Sequence, residues 1–259
     1  MNTTKNKSYI SINLLIVAFL FIAFSCDSYK KAIISFNERL KALQDTYIKD
    51  KSLSVIRAEL DYNNGNWTLE GETTNSILFS KLISYTDSLL TKENYINKLM
   101  LLPDSTLGDS NFAIVNVSVT PLREKPRHSS QMVDQAILGN TIKLLRYSNG
   151  WYLAQTHYKY VGWINKTGLH VCDSTSKTNW ERQTNYTTKI LQSSLFSQPS
   201  ETSQPVSDMV LNNVFIGKIQ NKNWVSLLLP DGRSGFAKMD NLQLINKNLK
   251  KPIEPDSIL

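Results

Sequence analysis

Few residues of this chain have the chemistry of a nucleophile paired with a base. Its 259 residues include two cysteines and three histidines. A cysteine nucleophile reacts as the thiolate, which a neighbouring base must generate. Cys172 is the one cysteine available for that role, because Cys26 lies in the N-terminal segment considered below. Since Cys172 follows Leu169 and Val171, we expect it to end a strand as a small buried side chain rather than attack a substrate.

The remaining polar residues form no recognisable reactive group. The sequence has no glycine-rich phosphate loop, no His/Cys set at metal-ligand spacing and no Ser-x-x-Lys phrase. We therefore expect no catalysis, no cofactor and no metal. The formal charge of +7 is spread along the chain without a basic-aromatic stripe, which favours contact with an acidic polymer or membrane surface over nucleic acid.

Tyrosines offer chemistry of another kind, the binding of a ligand against ring faces. Tyr152, Tyr158 and Tyr160 follow one another within a short stretch. Such rings can stack on sugar or peptide while their hydroxyls form hydrogen bonds. These three residues are therefore candidates for an exposed binding face.

The stretch that carries these tyrosines occurs twice, at a constant offset of 73 residues. The first copy contains Leu122, Pro126, Val133, Leu138, Trp151 and Gly162, and the second contains Leu195, Pro199, Val206, Leu211, Trp224 and Gly235. A constant offset signals a duplicated module. Short strands separated by Gly, Asn, Pro and Ser turns are typical of a small barrel. Because their positions recur, we expect Trp151, Trp163 and Trp224 to lie in the barrel cores.

The first copy resembles the bacterial SH3 (SH3b) domain. The resemblance rests on a Leu-Arg-x-x-Pro element from Leu122, the Leu138-Gly139 turn, the NGWYLA strand and the YVGWI strand. The second copy keeps this frame but has no arginine after Leu195. We expect two all-β SH3-like barrels, the first over residues 111–172 and a divergent second over 185–246.

Residues 26–103 predict a separate α+β unit. Apolar residues have helical spacing over 28–50 and again over 75–90. Between these helices, two alternating runs flank Asn63–Asn66, a strong hairpin signal, and residues 96–102 read as a closing strand. This αββαβ order and the phrase WTLEGET resemble the BON-type module of bacterial envelope proteins. We expect a spacer or docking unit without catalytic residues.

The N-terminal segment has the features of a secretion signal. Lys5 and Lys7 precede the apolar run Ile10–Phe24, which is shorter than the roughly 20 residues of a membrane span. The run ends in small residues followed by Cys26, which resembles the lipobox of bacterial lipoproteins. We expect a signal peptide over 1–25 and a lipid on Cys26 that holds the protein at an extracytoplasmic membrane surface. An ordinary signal peptide with an incidental cysteine is the alternative.

The arrangement as a whole resembles the N-terminal portion of NlpC-type cysteine peptidases, which cut γ-D-glutamyl–diamino-acid bonds in cell-wall peptides. In that family an Asp-Cys-Ser-Gly phrase carries the nucleophile, and this chain has no such phrase. All three histidines, His128, His157 and His170, precede Cys172, against the Cys-then-His order of the family. The resemblance implies that Cys172 is not a nucleophile.

The same resemblance implies a recognition site in the first SH3b domain. In relatives, an acidic residue and a tyrosine bind the free amino end of the wall peptide, and the matching positions here are Gln131 and Tyr160. Gln131 can accept a hydrogen bond but supplies no ionic contribution. The alternative is that Gln131 is simply a surface residue.

These features predict a lipid-anchored, non-catalytic envelope protein whose barrels bind cell-wall peptide, peptidoglycan or an envelope protein partner. The alternative is the targeting half of an NlpC-type endopeptidase whose catalytic domain is missing or supplied separately. In that alternative, residues 247–259 are a truncated linker rather than a tail. A third interpretation is a pure scaffold.

Overall fold

A computed structural model describes residues 29–50, 52–91 and 94–245. The predicted signal peptide, Cys26 and the 247–259 tail lie outside the described residues. The chain divides into two compact units, the N-terminal unit Met1–Leu102 and the C-terminal unit Pro103–Leu259. Among the helices of the described ranges, none is long and apolar enough to cross a membrane.

The N-terminal unit packs two helices on a three-stranded sheet. Its elements in chain order are helix α1 over 29–47, strands β1 (Ile56–Asn63) and β2 (Asn66–Thr73), helix α2 (Ser76–Leu89) and strand β3 (Tyr95–Leu101). Strand β2 is central, antiparallel to β1 and parallel to β3. A parallel pair requires a crossover connection, which α2 supplies.

Local sequence explains most boundaries in this unit. Asn64 and Gly65 form the hairpin turn with φ of 51° and 80°, the left-handed conformation that this turn type needs. The Asn75 side chain caps α2 by accepting a hydrogen bond from the Leu78 backbone N–H at 3.0 Å. The buried core combines one face of the sheet with both helices and includes Phe36, Leu60, Trp67, Leu69, Leu78 and Leu82.

The C-terminal unit contains two seven-stranded sheets. The first sheet has the strand order β10-β4-β7-β8-β9-β5-β6. Its strands are β4 (Phe112–Val115), β5 (Val119–Arg123), β6 (Met132–Ile137), β7 (Thr141–Ser148), β8 (Trp151–Gln155), β9 (Val161–Asn165) and β10 (Leu169–Cys172). Helix α3 (Ser174–Gln183) then leads to the second sheet.

The second sheet repeats the strand order of the first. Read from the matching edge, its order is β17-β11-β14-β15-β16-β12-β13. Its strands are β11 (Tyr186–Thr188), β12 (Gln192–Phe196), β13 (Pro205–Val210), β14 (Val214–Ile219), β15 (Trp224–Leu228), β16 (Ser234–Lys238) and β17 (Leu242–Leu244). Strands β5, β6, β8 and β9 recur with the same bounds 73 residues later as β12, β13, β15 and β16. The sequence repeat is therefore a repeat of strand positions.

One local prediction is wrong, and one helix was not predicted. The sequence predicts one strand over Phe112–Val119, but the structure has β4 and then β5 starting at Val119. The Asn116 backbone N–H in the break between these strands bonds the Gly168 carbonyl at 3.1 Å, which turns the chain between them. Helix α3 was not expected, because Trp180 is the only apolar side chain in STSKTNWERQ.

The tryptophan prediction is confirmed at two of its three positions. Trp151 and Trp163 are buried, with 7% and 4% of their surface exposed. Trp224 is only partly buried and lies edge-on to Phe196, with ring centroids 6.2 Å apart. The core of the second sheet is instead formed by smaller residues, among them Leu195, Met209, Phe215, Val225 and Leu227.

The two sheets of the C-terminal unit share a buried junction. Leu138, in a turn of the first sheet, packs into the hydrophobic core of the second. Its carbonyl accepts a hydrogen bond from the Val214 backbone N–H at 3.0 Å. Ser118 adds two polar links, donating to Asp208 at 2.6 Å and accepting at its carbonyl from the Asn213 side chain at 3.0 Å. These buried contacts position the two sheets against each other.

Candidate functional site

The β8–β9 hairpin of the first sheet presents two tyrosines to solvent. Residues 156–160 form its tip, where the Thr156 backbone N–H donates to the Tyr160 carbonyl at 2.9 Å. Lys159 takes a left-handed φ of 79°, which closes the tip between the tyrosines. Tyr158 and Tyr160 remain 42% and 39% exposed. Their rings meet edge to face with centroids 5.7 Å apart, a favourable aromatic geometry.

The hairpin tip lies against strand β6. The Tyr158 hydroxyl donates a hydrogen bond to the Gln135 carbonyl at 3.3 Å. Burial raises the pKa of Tyr158 to about 12, and a hydrogen-bonding interaction with the Asp134 carboxylate and its negative charge raise it further. The hydroxyl therefore stays protonated at neutral pH and remains a hydrogen-bond donor.

Asp134 is the residue of this site that sequence reasoning missed. One oxygen of its carboxylate, Oδ2, is buried and has no hydrogen-bond partner within the described residues. A buried carboxylate oxygen without a donor is costly and requires an explanation, and a bound donor is one such explanation. The only sequence signal was the single acidic residue in β6, MVDQAI, and it becomes informative once the hairpin tip is known to contact that strand.

The other predicted site residues lie apart from this group. Gln131 is exposed just before β6, and its backbone carbonyl accepts a hydrogen bond from the Glu124 N–H at 3.0 Å. Tyr152 is half-buried rather than exposed, and its ring lies 4.9 Å from that of Tyr147 on the neighbouring strand. Burial raises the pKa of Tyr152. The structure thus brings together Tyr158 and Tyr160, but neither Gln131 nor Tyr152 with them.

The corresponding hairpin of the second sheet is already occupied by contacts within the chain. Asp231 and Arg233 stand 73 residues after Tyr158 and Tyr160. They form an ion pair at 2.8 Å. Arg233 also donates to the carbonyls of Val206 and Asn116, each at 3.2 Å, and the latter belongs to the first sheet. The open tyrosine hairpin is therefore a feature of the first sheet.

Comparison with known families identifies this part of the chain. The family described as "Bacterial SH3 domain" matches residues 118–170, which include β5 to β9, Asp134 and both hairpin tyrosines. This stretch is similar to the bacterial SH3 domain, which confirms the resemblance seen in the first copy of the repeat.

Solved structures similar to the chain include NlpC/P60 proteins. One is an NlpC/P60 family protein from Bacillus cereus, with 14% identity over 52% of this chain and 56% of that chain and a TM-score of 0.45. Another is an NlpC/P60 endopeptidase from Photobacterium damselae subsp. piscicida, with 16% identity over 80% of this chain and 44% of that chain and a TM-score of 0.38. The chain thus spans about half the length of these structures. No curated protein matches it.

Cys172 ends the last strand of the SH3b sheet as a buried side chain, as expected. It is 8% exposed and packs with Ile114 and Trp180. Burial raises the pKa of its thiol to about 11, and the Asp173 and Glu181 carboxylates contribute further. A thiol with this pKa is protonated at neutral pH. Among the described residues, no group of His, Cys, Asp and Glu side chains could hold a metal ion.

We expect Cys172 to be nearly inert toward alkylation in the folded protein. A pKa of about 11 leaves on the order of a thousandth of the thiol ionised at pH 8, roughly 200-fold less than an ordinary cysteine. The measurement is the rate of N-ethylmaleimide addition by intact mass, in protein carrying Cys26→Ser so that one thiol remains. The same protein in guanidinium chloride is the control. Equal rates in the folded and unfolded states would contradict the assignment.

Proposed function

We propose that this chain is a non-catalytic cell-envelope binding protein whose SH3b domain binds the free amino end of a cell-wall peptide. The observation that carries the proposal is the unpartnered, buried Oδ2 atom of Asp134 beside the Tyr158–Tyr160 pair. An ammonium group would supply the missing donor and the opposite charge.

The geometry suits a small cationic group attached to a peptide. A hydrogen bond to a charged group contributes about 1.5–3 kcal/mol, more than a neutral one. The exposed ring faces of Tyr158 and Tyr160 offer apolar surface for the residue that carries the amine. Gln131 is not needed in this arrangement, because Asp134 supplies the acid.

The rest of the chain would position the SH3b domain and anchor it to a membrane. We propose that the second sheet is a divergent SH3-like barrel. Its equivalent hairpin contributes contacts to the junction between the two sheets instead of binding a ligand. Its Arg233 contact with the Asn116 carbonyl supports this division of roles. We further propose that the N-terminal unit is a BON-like spacer and that lipid on Cys26 holds the protein at an extracytoplasmic membrane surface.

Binding of a cell-wall peptide with a free amino end tests the proposal. We expect Asp134→Asn, and separately Tyr158→Ala with Tyr160→Ala, to weaken binding at least tenfold, since tenfold corresponds to about 1.4 kcal/mol. N-acetylation of the peptide should have a similar effect. Binding should also weaken as the pH rises through about 8, where an α-amino group loses its proton. Calorimetric titration would measure all four.

The matched control is Ile219→Ala with Leu244→Ala, which removes exposed apolar surface from the second sheet. It should bind as the unmodified protein does. Equal affinity for the free and acetylated peptides would overturn the proposed recognition. Hydrolysis of the peptide that is lost in Cys172→Ala would overturn the non-catalytic assignment.

A further inference from the structure

A polar groove in the N-terminal unit has the chemistry of a second binding site. It lies between α1 and α2, has a volume of about 360 Å³ and is lined by Arg39, Ser80, Lys81, Ser84, Tyr85 and Ser88. Every lining residue has a polar group, and two are cations. The groove lies on a different unit from the SH3b site, so it cannot be a part of that site's hairpin.

The two cations of the groove are held by aromatic rings. The Arg39 guanidinium lies over the Tyr85 ring at 5.7 Å, and the Lys81 ammonium lies over the Tyr47 ring at 5.8 Å. Neither cation forms an ion pair within the described residues. A cation–π contact positions a cation without neutralising its charge. Both cations can therefore still bind an anion.

The Tyr85 ring that supports Arg39 is itself fixed across the helices. Its hydroxyl is 2.7 Å from the Ser35 Oγ atom on α1 and also donates to the Ser35 carbonyl at 3.3 Å. The guanidinium thus lies over a ring with a defined orientation. This lowers the conformational entropy that Arg39 would lose on binding a ligand.

Three serines add a row of hydroxyls along the α2 side of the groove. They stand one helical turn apart, so they lie on one face of the helix. Ser80 and Ser88 donate to the carbonyls of Ser76 and Ser84, at 3.1 and 2.8 Å, which leaves their oxygens able to accept. Within the described part of the chain, the Ser84 hydroxyl forms no side-chain hydrogen bond, so it can donate as well as accept.

We propose that this groove binds an anionic saccharide. Its acidic group would lie between Arg39 and Lys81, and its hydroxyls would exchange hydrogen bonds with the serine row. Arginine suits carboxylate and phosphate oxygens because its guanidinium is planar and can bind two of them at once. A lone inorganic anion would fill a small part of 360 Å³, since a water molecule occupies about 30 Å³ in the liquid.

The experiment compares a uronic-acid oligosaccharide with an uncharged oligosaccharide of equal length, binding to the full chain in detergent. We expect saturable binding of the acidic oligosaccharide only. Arg39→Gln with Lys81→Gln should weaken that binding at least tenfold, and Ser84→Ala should weaken it severalfold. The matched control is Lys41→Gln with Lys98→Gln, two exposed lysines of the same unit that do not line the groove. It makes the same change in net charge and should shift the affinity less than twofold.

Several outcomes would overturn the inference. An equal loss in the control and groove variants would show that net charge alone attracts the saccharide. Equal binding of the acidic and neutral oligosaccharides would remove the role of the cations. Binding to anionic phospholipid vesicles without binding to the soluble oligosaccharide would assign the groove to a membrane surface. Because the SH3b site is intact in every groove variant, failure here and failure of amine recognition are measured separately.

Discussion

Replacing Gly139 by alanine is expected to destabilise the C-terminal unit by about 3 kcal/mol or more. Gly139 has a φ of +82°, and a Cβ atom there would lie 2.1 Å from the carbonyl oxygen of Val214 on the second sheet. An L-residue in the left-handed region costs roughly 1–2 kcal/mol, and forcing atoms into a packed contact adds about 1–3 kcal/mol. The backbone oxygen cannot move aside without opening the junction. Urea unfolding followed by circular dichroism would measure the change.

Gly150→Ala separates the steric clash from the backbone strain. Gly150 has a similar φ of +85°, but a Cβ atom there meets nothing within 4 Å. We expect it to cost only the conformational part, roughly 1–2 kcal/mol. The second copy of the repeat supports this explanation. Asn212, 73 residues after Gly139, has a φ of 66° and is exposed, so a side chain is tolerated where no second sheet lies close. If Gly139→Ala and Gly150→Ala were equally destabilising, close approach of the two sheets would not explain the glycine at 139.

Local signals in the sequence were sufficient for the features that short-range chemistry determines. The Asn-Gly steps at Asn64 and Asn149 predict tight turns, and all four residues of these steps have positive φ. The apolar spacing over 75–90 predicts a helix, and α2 spans Ser76–Leu89. Since the turn residues and the periodicity act within a few positions, no tertiary information was needed.

Features that depend on tertiary packing could not be predicted. The residues of α3 have no apolar face, so its helix is stabilised by the Asp173 cap, which accepts from Ser176 at 2.7 Å, and by docking of Trp180. Trp224 occupies the position equivalent to Trp151 but is only partly buried. An equivalent position in the repeat does not determine which residues pack against the side chain. Asp134 joins the site only through the approach of the β8–β9 hairpin to β6. Each of these outcomes depends on residues distant in sequence.

Truncation of Trp180 is expected to have the other large effect, about 3–5 kcal/mol of lost stability for Trp180→Ala. The side chain is 7% exposed and forms a buried cluster with Ile114 and Cys172 of the first sheet, and Ile216 of the second sheet packs against this cluster. Its indole N–H donates to the Gly139 carbonyl at 2.8 Å, at the turn that contacts Val214. Removal leaves a cavity and an unsatisfied buried carbonyl together. Denaturant unfolding would measure the loss.

Two further substitutions divide this effect into its parts. Trp180→Phe keeps most of the buried apolar area but removes the N–H donor, so we expect a cost of about 1–3 kcal/mol, the range for a buried acceptor left unpaired. Trp224→Ala makes the same truncation at a partly exposed position and should cost less than Trp180→Ala. If Trp180→Ala proved no worse than Trp224→Ala, α3 would be a surface linker without a role in the junction. The expected order, with Trp180→Ala the most destabilising, follows because the indole belongs to the cluster on which both sheets pack and bonds the turn between them.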